Sequence, residues 1–462
     1  MNPTAQLLQP EICELVQEGR WSDLREILHD LPTADTADIL ADMTPEQAAL
    51  AFRFLLRDDA AAIFSYLTPE TQEAIIKKLG DEASVRVIEG MSADDRAKLL
   101  DELPGPVAQR IVASLSPEER RVTQAILGYP PRTVGRLMTP DYIRVRPEWT
   151  CATAIDHIRR HGRDAETINV LYVIDEQGKL VDDIRLRQVL LAQPEATVAS
   201  LMNGSFYALR ADQPQEEAVQ MMARYDRTAL PVVDSQGILV GMVTVDDVVD
   251  VAQQTATEEM QKMGGVGALE EPYMQTGHFQ MFHKRGFWLS ALFVGQTVTI
   301  LVLGRFQEQL DKAVVLSVFM PLVISCGGNS GSQAATLVTR ALALGEITAK
   351  DWFRIVKREV VTASLLATTL AAMGFVCVEF FTRGIKQVST GHPHYLGLTV
   401  AIAIAAVVLW GTTLGSLLPL LLKKFKFDPA TASSPMVATL MDASGTLIYF
   451  GLAVLLLTGT IL

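Results

Sequence analysis

FDPATASSPMVATLMDASGTLIYFGLAVLLLTGTIL, Phe427 to Leu462, decides how the chain is read. From Pro435 onward it is long and apolar enough to cross a bilayer, since about 20 residues suffice, yet it carries one full acid, Asp442. An ionised Asp near mid-membrane costs roughly 3 kcal/mol even on the lenient insertion scale, so it normally faces protein interior or a watery path. The plainer alternative is an acid neutralised by protonation or by the donors of a neighbouring helix. A cation path ranks above it, because no Lys or Arg lies between Pro435 and Leu462 to act as an intrahelical partner.

Four more apolar runs precede this one, at about 287–304, 313–338, 360–381 and 396–422, and with 435–461 they make five expected spans. Basic residues crowd two of the connections, Arg340 to Arg358 and Lys423 to Lys426, and stand before span one in His283-Lys-Arg285. The positive-inside rule places these in the cytosol and Leu462 outside. Pro321 and Ser325-Cys-Gly-Gly-Asn-Ser-Gly-Ser-Gln333 put helix-weakening residues inside span two, which is expected to be interrupted. Small residues alone more often mean close helix packing. Gly327-Gly328-Asn329 with Gln333 adds carbonyl oxygens able to face a hydrated ion. Ala438, Asp442 and Gly445 are spaced to share one helix face.

The rest of the chain is acidic. Residues 1–280 hold 45 Asp+Glu against 26 Lys+Arg, and residues 281–462 hold 8 against 14, so a part of charge −19 precedes one of +6. No basic stripe exists to neutralise phosphates, and nucleic acid is not an expected partner. Cys13, Cys151, Cys326 and Cys377 are scattered and read as small fillers in a reducing setting. The start, MNPTAQLLQPEICELVQEG, lacks the basic and apolar regions of a signal peptide. The soluble part is expected to stay in the cytosol.

Before Tyr129 a repeat recurs every 24 residues: Met43-Thr-Pro-Glu46, Leu67-Thr-Pro-Glu70, Met91-Ser-Ala-Asp94 and Leu115-Ser-Pro-Glu118. Each reads as a helix start, with a hydroxyl cap, Pro at the first position in three of the four (Ala93 in the third) and an acid against the helix dipole. A small helical solenoid follows, with Asp94, Asp95, Asp101 and Glu102 on a solvated face. Residues 134–251 carry a second repeat, Val134-Gly-Arg-Leu-Met138 with Val198-Ala-Ser-Leu-Met202, and Val173 to Val181 with Val232 to Val240. Short β-type and helical runs alternate, and the pair resembles tandem CBS modules, whose clefts often hold adenine nucleotides. The second copy carries Gly241-Met-Val-Thr244-Val-Asp-Asp247, whose Thr244 and Asp247 match positions that commonly meet ribose and phosphate. The first reads Asp182-Asp-Ile-Arg185-Leu-Arg-Gln188, without the Gly, hydroxyl and acid. ATP is therefore a weaker expectation than a metal ion. Val248 to Lys262 continues as a connecting helix ended by Gly264-Gly265, and only Lys262 opposes its acids Asp246, Asp247, Asp250, Glu258 and Glu259. Such clusters usually keep a helix soluble; packed against other acids they repel, and a divalent cation could bridge them.

The order of parts is a multidomain one: an all-α helical-repeat domain (1–130), an α/β tandem CBS pair (131–250), a connecting helix (251–282) and a five-helix transmembrane domain (283–462). With Pro321, Gly328-Asn329, Asp428-Pro, Pro435, Asp442 and Gly445 in place, it resembles the MgtE family of bacterial magnesium channels over nearly the whole chain. The resemblance implies an inner-membrane homodimer with its pore on the two-fold axis. Asp442 of both subunits would hold a hydrated Mg2+, helped by Asn329, Gly328 and Ala438. One or two carboxylates on an aquated ion suit Mg2+, which sheds water reluctantly. It also implies feedback, with Asp246, Asp247, Asp250, Glu258, Glu259, Asp428, Glu216 and Asp226 binding Mg2+ in a closed state and the connecting helix as plug. Ser434 stands before Pro435 where family members often carry Asn, a departure at the cytosolic mouth.

A channel for another divalent cation such as Co2+ or Mn2+ is the nearest rival, disfavoured because no His or Cys lies close to Asp442 in sequence. A CBS-bearing chloride channel fits poorly with a lone acid, and a membrane sensor without transport leaves Asp442 unexplained. An enzyme is not expected: no nucleophile with its base, Walker-type loop or metal-ligand spacing is present.

Overall fold

Each of the four repeat starts opens a helix. The structure, a computed structural model, describes residues 3–55, 57–269, 273–274, 276–308, 314–384 and 393–458. Helices α4 (Pro45–Phe54), α6 (Pro69–Leu79), α8 (Ala93–Glu102) and α10 (Pro117–Leu127) begin at or just after the Pro or its equivalent. A second helix fills each interval, α5 (Arg57–Ser65), α7 (Asp81–Gly90) and α9 (Gly105–Ser114), so 24 residues build one helix pair. Capping differs among the copies. Thr44 accepts from the Gln47 amide at 3.3 Å with the Gln47 side chain returning to the Thr44 amide, and Ser116 accepts from Glu119 at 3.3 Å. Thr68 and Ser92 make no such bond. One apolar core runs through the pairs from Ile12 through Phe64 and Ile88 to Leu115, as a solenoid requires.

Asp94 departs from the solvated face expected for it. Only 8 % of it is exposed, while Asp101 and Glu102 do lie in solvent. The cause is packing: Ala93 and Ala97 of α8 close against Ile126 of α10, and the buried Arg96 between them pairs with Glu119. Small side chains on the inner face pull the first turn of α8, Asp94 included, out of water.

The two CBS copies have the same topology. In the first, β1 (Tyr142–Val145) runs parallel to β2 (Thr167–Ile174), which pairs antiparallel with β3 (Leu180–Arg185); in the second, β4 (Leu209–Arg210), β5 (Ala229–Val233) and β6 (Leu239–Thr244) repeat the pattern. The departure between them has a packing reason. Gly241 lets the other copy's Met138-Thr139 approach so closely that a Cβ would stand 2.8 Å from the Met138 sulfur. At the matching place Asp182, fully buried, accepts hydrogen bonds from the Asn203 and Gly204 amides at 2.8 and 3.0 Å. The acid there serves as a backbone acceptor.

Beyond the connecting helix α15 (Val245–Met263) come five helices: α16 (His278–Arg305), α17 (Val314–Ala343), α18 (Trp352–Gly384), α19 (Pro393–Lys424) and α20 (Ser434–Leu457). Each is long and apolar enough to cross a membrane. Residues Met1–Gln253 and Gln254–Leu462 form separate units.

The expected interruption of span two is absent. α17 is one helix of 30 residues with Pro321 inside it. Gly327 and Gly331 are consumed by packing against α19, where a Cβ on Gly411 would collide with the Gly327 carbonyl oxygen and one on Gly415 with that of Gly331. Ser330 and Thr412 share a hydroxyl hydrogen bond of 2.7 Å across the same seam. Close backbone approach, the commoner use of small residues in membranes, accounts for the motif.

Candidate functional site

α20 is held at its entry by short polar side chains. Asp428 accepts from the Ala430 amide at 2.9 Å, Ser433 caps the helix by accepting from Met436 at 3.4 Å, and Pro435 occupies its first turn. The end of α15 reaches this entry. Gly265 has φ +71°, a backbone conformation that favours glycine, and a Cβ there would stand 3.3 Å from Pro435 Cγ and 3.5 Å from Ser433 Oγ. Lys262 Nζ stands 2.8 Å from Asp428 Oδ2 and 4.0 Å from Glu258 Oε2. Burial, then the nearby Asp428, raises the pKa of Glu259, and Lys262 opposes the rise. Glu258, one helical turn back, and Asp428, from the entry of α20, thus flank one ammonium.

Two turns into α20, Asp442 is half-buried and accepts a hydrogen bond on Oδ2 from Gln296 Nε2 of α16 at 3.0 Å. Gln296 escaped the sequence reading. The signal was present: a carboxamide in the middle of an apolar span is as anomalous there as Asp442, though uncharged. Gly328 and Ala438 face each other across the α17–α20 contact, the Cβ position of Gly328 lying 4.0 Å from the Ala438 Cα. Ser332 of α17 donates to the Ser434 carbonyl at 3.3 Å, so the backbone at the Ser434 departure is already engaged. Asn329 is exposed and donates to Ser325 Oγ at 3.4 Å, with no hydrogen bond to Asp442. The three residues expected on one face of α20 have different neighbours: Ala438 meets α17, Asp442 meets α16, and Gly445 is buried near Met441, Val407 and Ile324.

In the other unit, a second set of acids crowds the start of α15. Burial and the nearby Asp94 push the Asp247 carboxyl up to about 9, with Asp246 and Asp95 adding. Glu166 is pushed up to about 7 by burial and by Asp94, Asp246, Asp95 and Asp141. Asp94 itself is raised to about 6 by burial and Asp95. Asp250, one turn on, is exposed and 3.4 Å from Lys98 Nζ. Asp94 and Glu166 carry no such signal in the sequence, because the acidic neighbours that make them matter are gathered around them only by tertiary packing. Thr244 donates to Asp247 at 2.9 Å, and the matching first-copy residues, Arg185 and Gln188, hold each other likewise through the Arg185 amide at 2.9 Å. These positions therefore begin helices in both copies. Glu216 and Asp226 are not brought together: they bound α14 (Glu216–Tyr225) at opposite ends, about 15 Å apart at 1.5 Å per residue. Glu216 pairs with Arg132 at 3.4 Å. Among the described residues, no three His, Cys, Asp or Glu side chains converge on one metal position.

The chain matches known families along its length. The MgtE divalent cation transporter family covers residues 320–452, the MgtE intracellular N domain residues 31–132, and the CBS domain residues 134–195 and 198–253. The magnesium transporter MgtE of Thermus thermophilus is 39% identical over 349 residues, which span 76% of this chain and 75% of the relative. That of Bacillus subtilis is 32% identical over 363 residues, 79% of this chain and 78% of the relative. Among solved structures, the cytosolic domain of the Mg2+ channel MgtE in complex with ATP superposes with a TM-score of 0.51 at 37% identity, covering 53% of this chain and all of that one. With helical repeats, a CBS pair and five membrane-length helices in the same order, the chain belongs to the MgtE family of magnesium transporters.

Proposed function

We propose that this protein is a homodimeric Mg2+ channel of the inner membrane that Mg2+ itself closes from the cytosolic side. The observation that carries the conducting half is Asp442, a carboxylate inside a membrane-length helix whose polar contact, the Gln296 amide, is neutral. A neutral donor orients a carboxylate without cancelling its charge, so the charge is left to attract a cation. Two subunits would bring two such carboxylates to the axis, and their mutual repulsion favours an ion between them. A hydrated Mg2+ fits this sparse donor set, because it keeps most of its waters and needs one or two carboxylates. Gly328 and Ala438 keep α17 and α20 close beside the path, and Asn329 offers its side chain to the ion's water shell.

The feedback half is supported by the acids. Asp247, beside Asp246 in one unit, and Glu259, beside Asp428 in the other, are held near like charges in partial burial, where a cation relieves the strain, while Asp250 stands exposed beside Lys98 and Glu258 beside Lys262. Glu216 and Asp226 are weaker members, the first paired with Arg132 and the second exposed. When Mg2+ is scarce the acidic part repels itself and the path opens. The soluble domains then lie in the cytosol and the end of α20 outside. No step of this proposal depends on ATP.

Asp442→Ala is expected to abolish Mg2+ uptake by a magnesium-auxotrophic host while the variant still reaches the membrane. Unchanged uptake sinks the assignment. Flux into reconstituted vesicles with Mg2+, Mn2+ and Co2+ compared side by side reads the selectivity, and preference for Mn2+ or Co2+ would replace Mg2+ as the substrate.

A further inference from the structure

α16 presents one narrow face to the rest of its unit. Leu292, Gly295, Gln296, Thr299, Leu303 and Phe306 are buried or half-buried along it, while Phe293, Val294, Val298, Ile300 and Leu301 are exposed. The spacing is that of a helix seated along a single stripe. Three contacts fix what lies beneath. A Cβ on Gly295 would stand 3.1 Å from Thr439 Cγ2, Gln296 donates to Asp442 at 3.0 Å, and Phe306 stacks on Phe450 with ring centres 5.4 Å apart. From first to last contact both helices advance by 11 residues, so α16 and α20 run side by side in the same direction and in register. Gly295, with hydrogen in place of a side chain, brings the α16 backbone close enough for the next residue to reach the acid.

Two polar groups interrupt this stripe, Gln296 and Thr299. The Thr299 residue is 6 % exposed, and its hydroxyl has no hydrogen-bond partner among the described residues. Polar groups in hydrocarbon are costly and are kept where they meet a partner or a wet path. An anchoring helix would carry aliphatic side chains at both places. An ionised carboxylate only accepts, so the amide nitrogen of Gln296, not its oxygen, must face Asp442.

We propose that Gln296 is the positioning residue for Asp442, an inference that rests on reading Asp442 as the pore carboxylate. Its amide takes up Oδ2 and fixes the rotation of the carboxyl group, so that Oδ1 is presented to the water shell of the passing cation. α16 is then part of the selectivity apparatus through this one hydrogen bond. A hydrogen bond to a charged group that is held in place is among the stronger ones, and a carboxylate that loses it spreads over several rotamers. The cost falls on how tightly the ion is held and leaves the rate of a filled path nearly intact.

The test uses the full chain in reconstituted vesicles, with initial Mg2+ flux measured against Mg2+ concentration. Gln296→Met keeps the shape of the side chain and removes the N–H donors. The half-saturating Mg2+ concentration is expected to rise about tenfold or more, the scale of one lost hydrogen bond to a charged group, with maximal flux per channel within about twofold. Gln296→Leu is read in the same way should the Met variant not reach the vesicles folded. Thr297→Met, on the exposed side of α16, is expected to match the parent. A folded Gln296→Met or Gln296→Leu protein with unchanged half-saturation overturns the proposal, as does one in which maximal flux falls while half-saturation stays put, the signature of a structural role. Asp442→Asn separates the two readings: if it conducts like the parent, the pore assignment fails, and if it is silent while Gln296→Met is normal, only the role of Gln296 fails.

Discussion

At the scale of single residues, the protein keeps carboxylates where their charge is unwelcome. Asp94, Glu166 and Asp247 titrate at about 6, 7 and 9 in the folded chain, each raised first by burial and then by its acidic neighbours. Unfolded, all three would titrate near 4. The folded state therefore binds more protons between about pH 4 and 9, and its stability falls as pH rises through that window, the whole penalty being present above it. In Mg2+-free buffer the thermal midpoint of the full chain in detergent is expected to drop from pH 5 to pH 9, and less steeply for Asp94→Asn with Glu166→Gln. Added Mg2+ should recover most of the drop at pH 8. A midpoint independent of pH would show that these acids do not strain the fold, and one that Mg2+ leaves unchanged would show that the ion does not relieve them.

Among elements, the contact between α17 and α19 is the least forgiving. Gly411 and Gly415 rest on the carbonyls of Gly327 and Gly331, and backbone cannot step aside as a side chain can. Gly415→Ala forces the two helices apart and is expected to destabilise the membrane part by on the order of 2 kcal/mol, the usual scale of overpacking. Gly445→Ala serves as the comparison, because its Cβ would meet Met441 Cε and Val407 Cγ1 at an ordinary 3.5 Å. Thermal challenge followed by size-exclusion chromatography separates the two. Equal melting of both variants contradicts the account given for the glycines of span two.

For the molecule as a whole, the distribution of charge is the feature on which the proposed feedback rests. A strongly acidic soluble part is joined through α15 to an apolar, mildly basic part, and the acids concentrate at both ends of that helix. Neutralising Asp250, Glu258 and Glu259 together, as Asp250→Asn, Glu258→Gln and Glu259→Gln, is expected to leave the channel conducting at millimolar Mg2+. Patch recordings or vesicle flux that still show full inhibition would remove these three from the gate. Lys262 stays in place in this variant, and its pairing with Asp428 at 2.8 Å keeps α15 tied to the entry of α20.

Much of this was legible in the chain itself. The 24-residue period places the helix starts at Pro45, Pro69, Ala93 and Pro117 because capping, Pro geometry and first-turn charge are local effects. The five membrane helices follow from apolar length, and the acid of α20 from its cost in hydrocarbon, both properties of a segment taken alone. What tertiary structure decided is which neighbour each group meets. The sequence of span two suits a break or a tight seam equally, and only the position of Gly411 and Gly415 across from it selects the seam. Asp94 is buried by α10, and Asp442 is held by a Gln 146 positions earlier. Hydrogen bonds and desolvation act over a few ångströms in space, whatever the distance along the chain, so the sequence shows that Gln296 and Asp442 are both out of place in hydrocarbon, and only the packing of α16 on α20 pairs them.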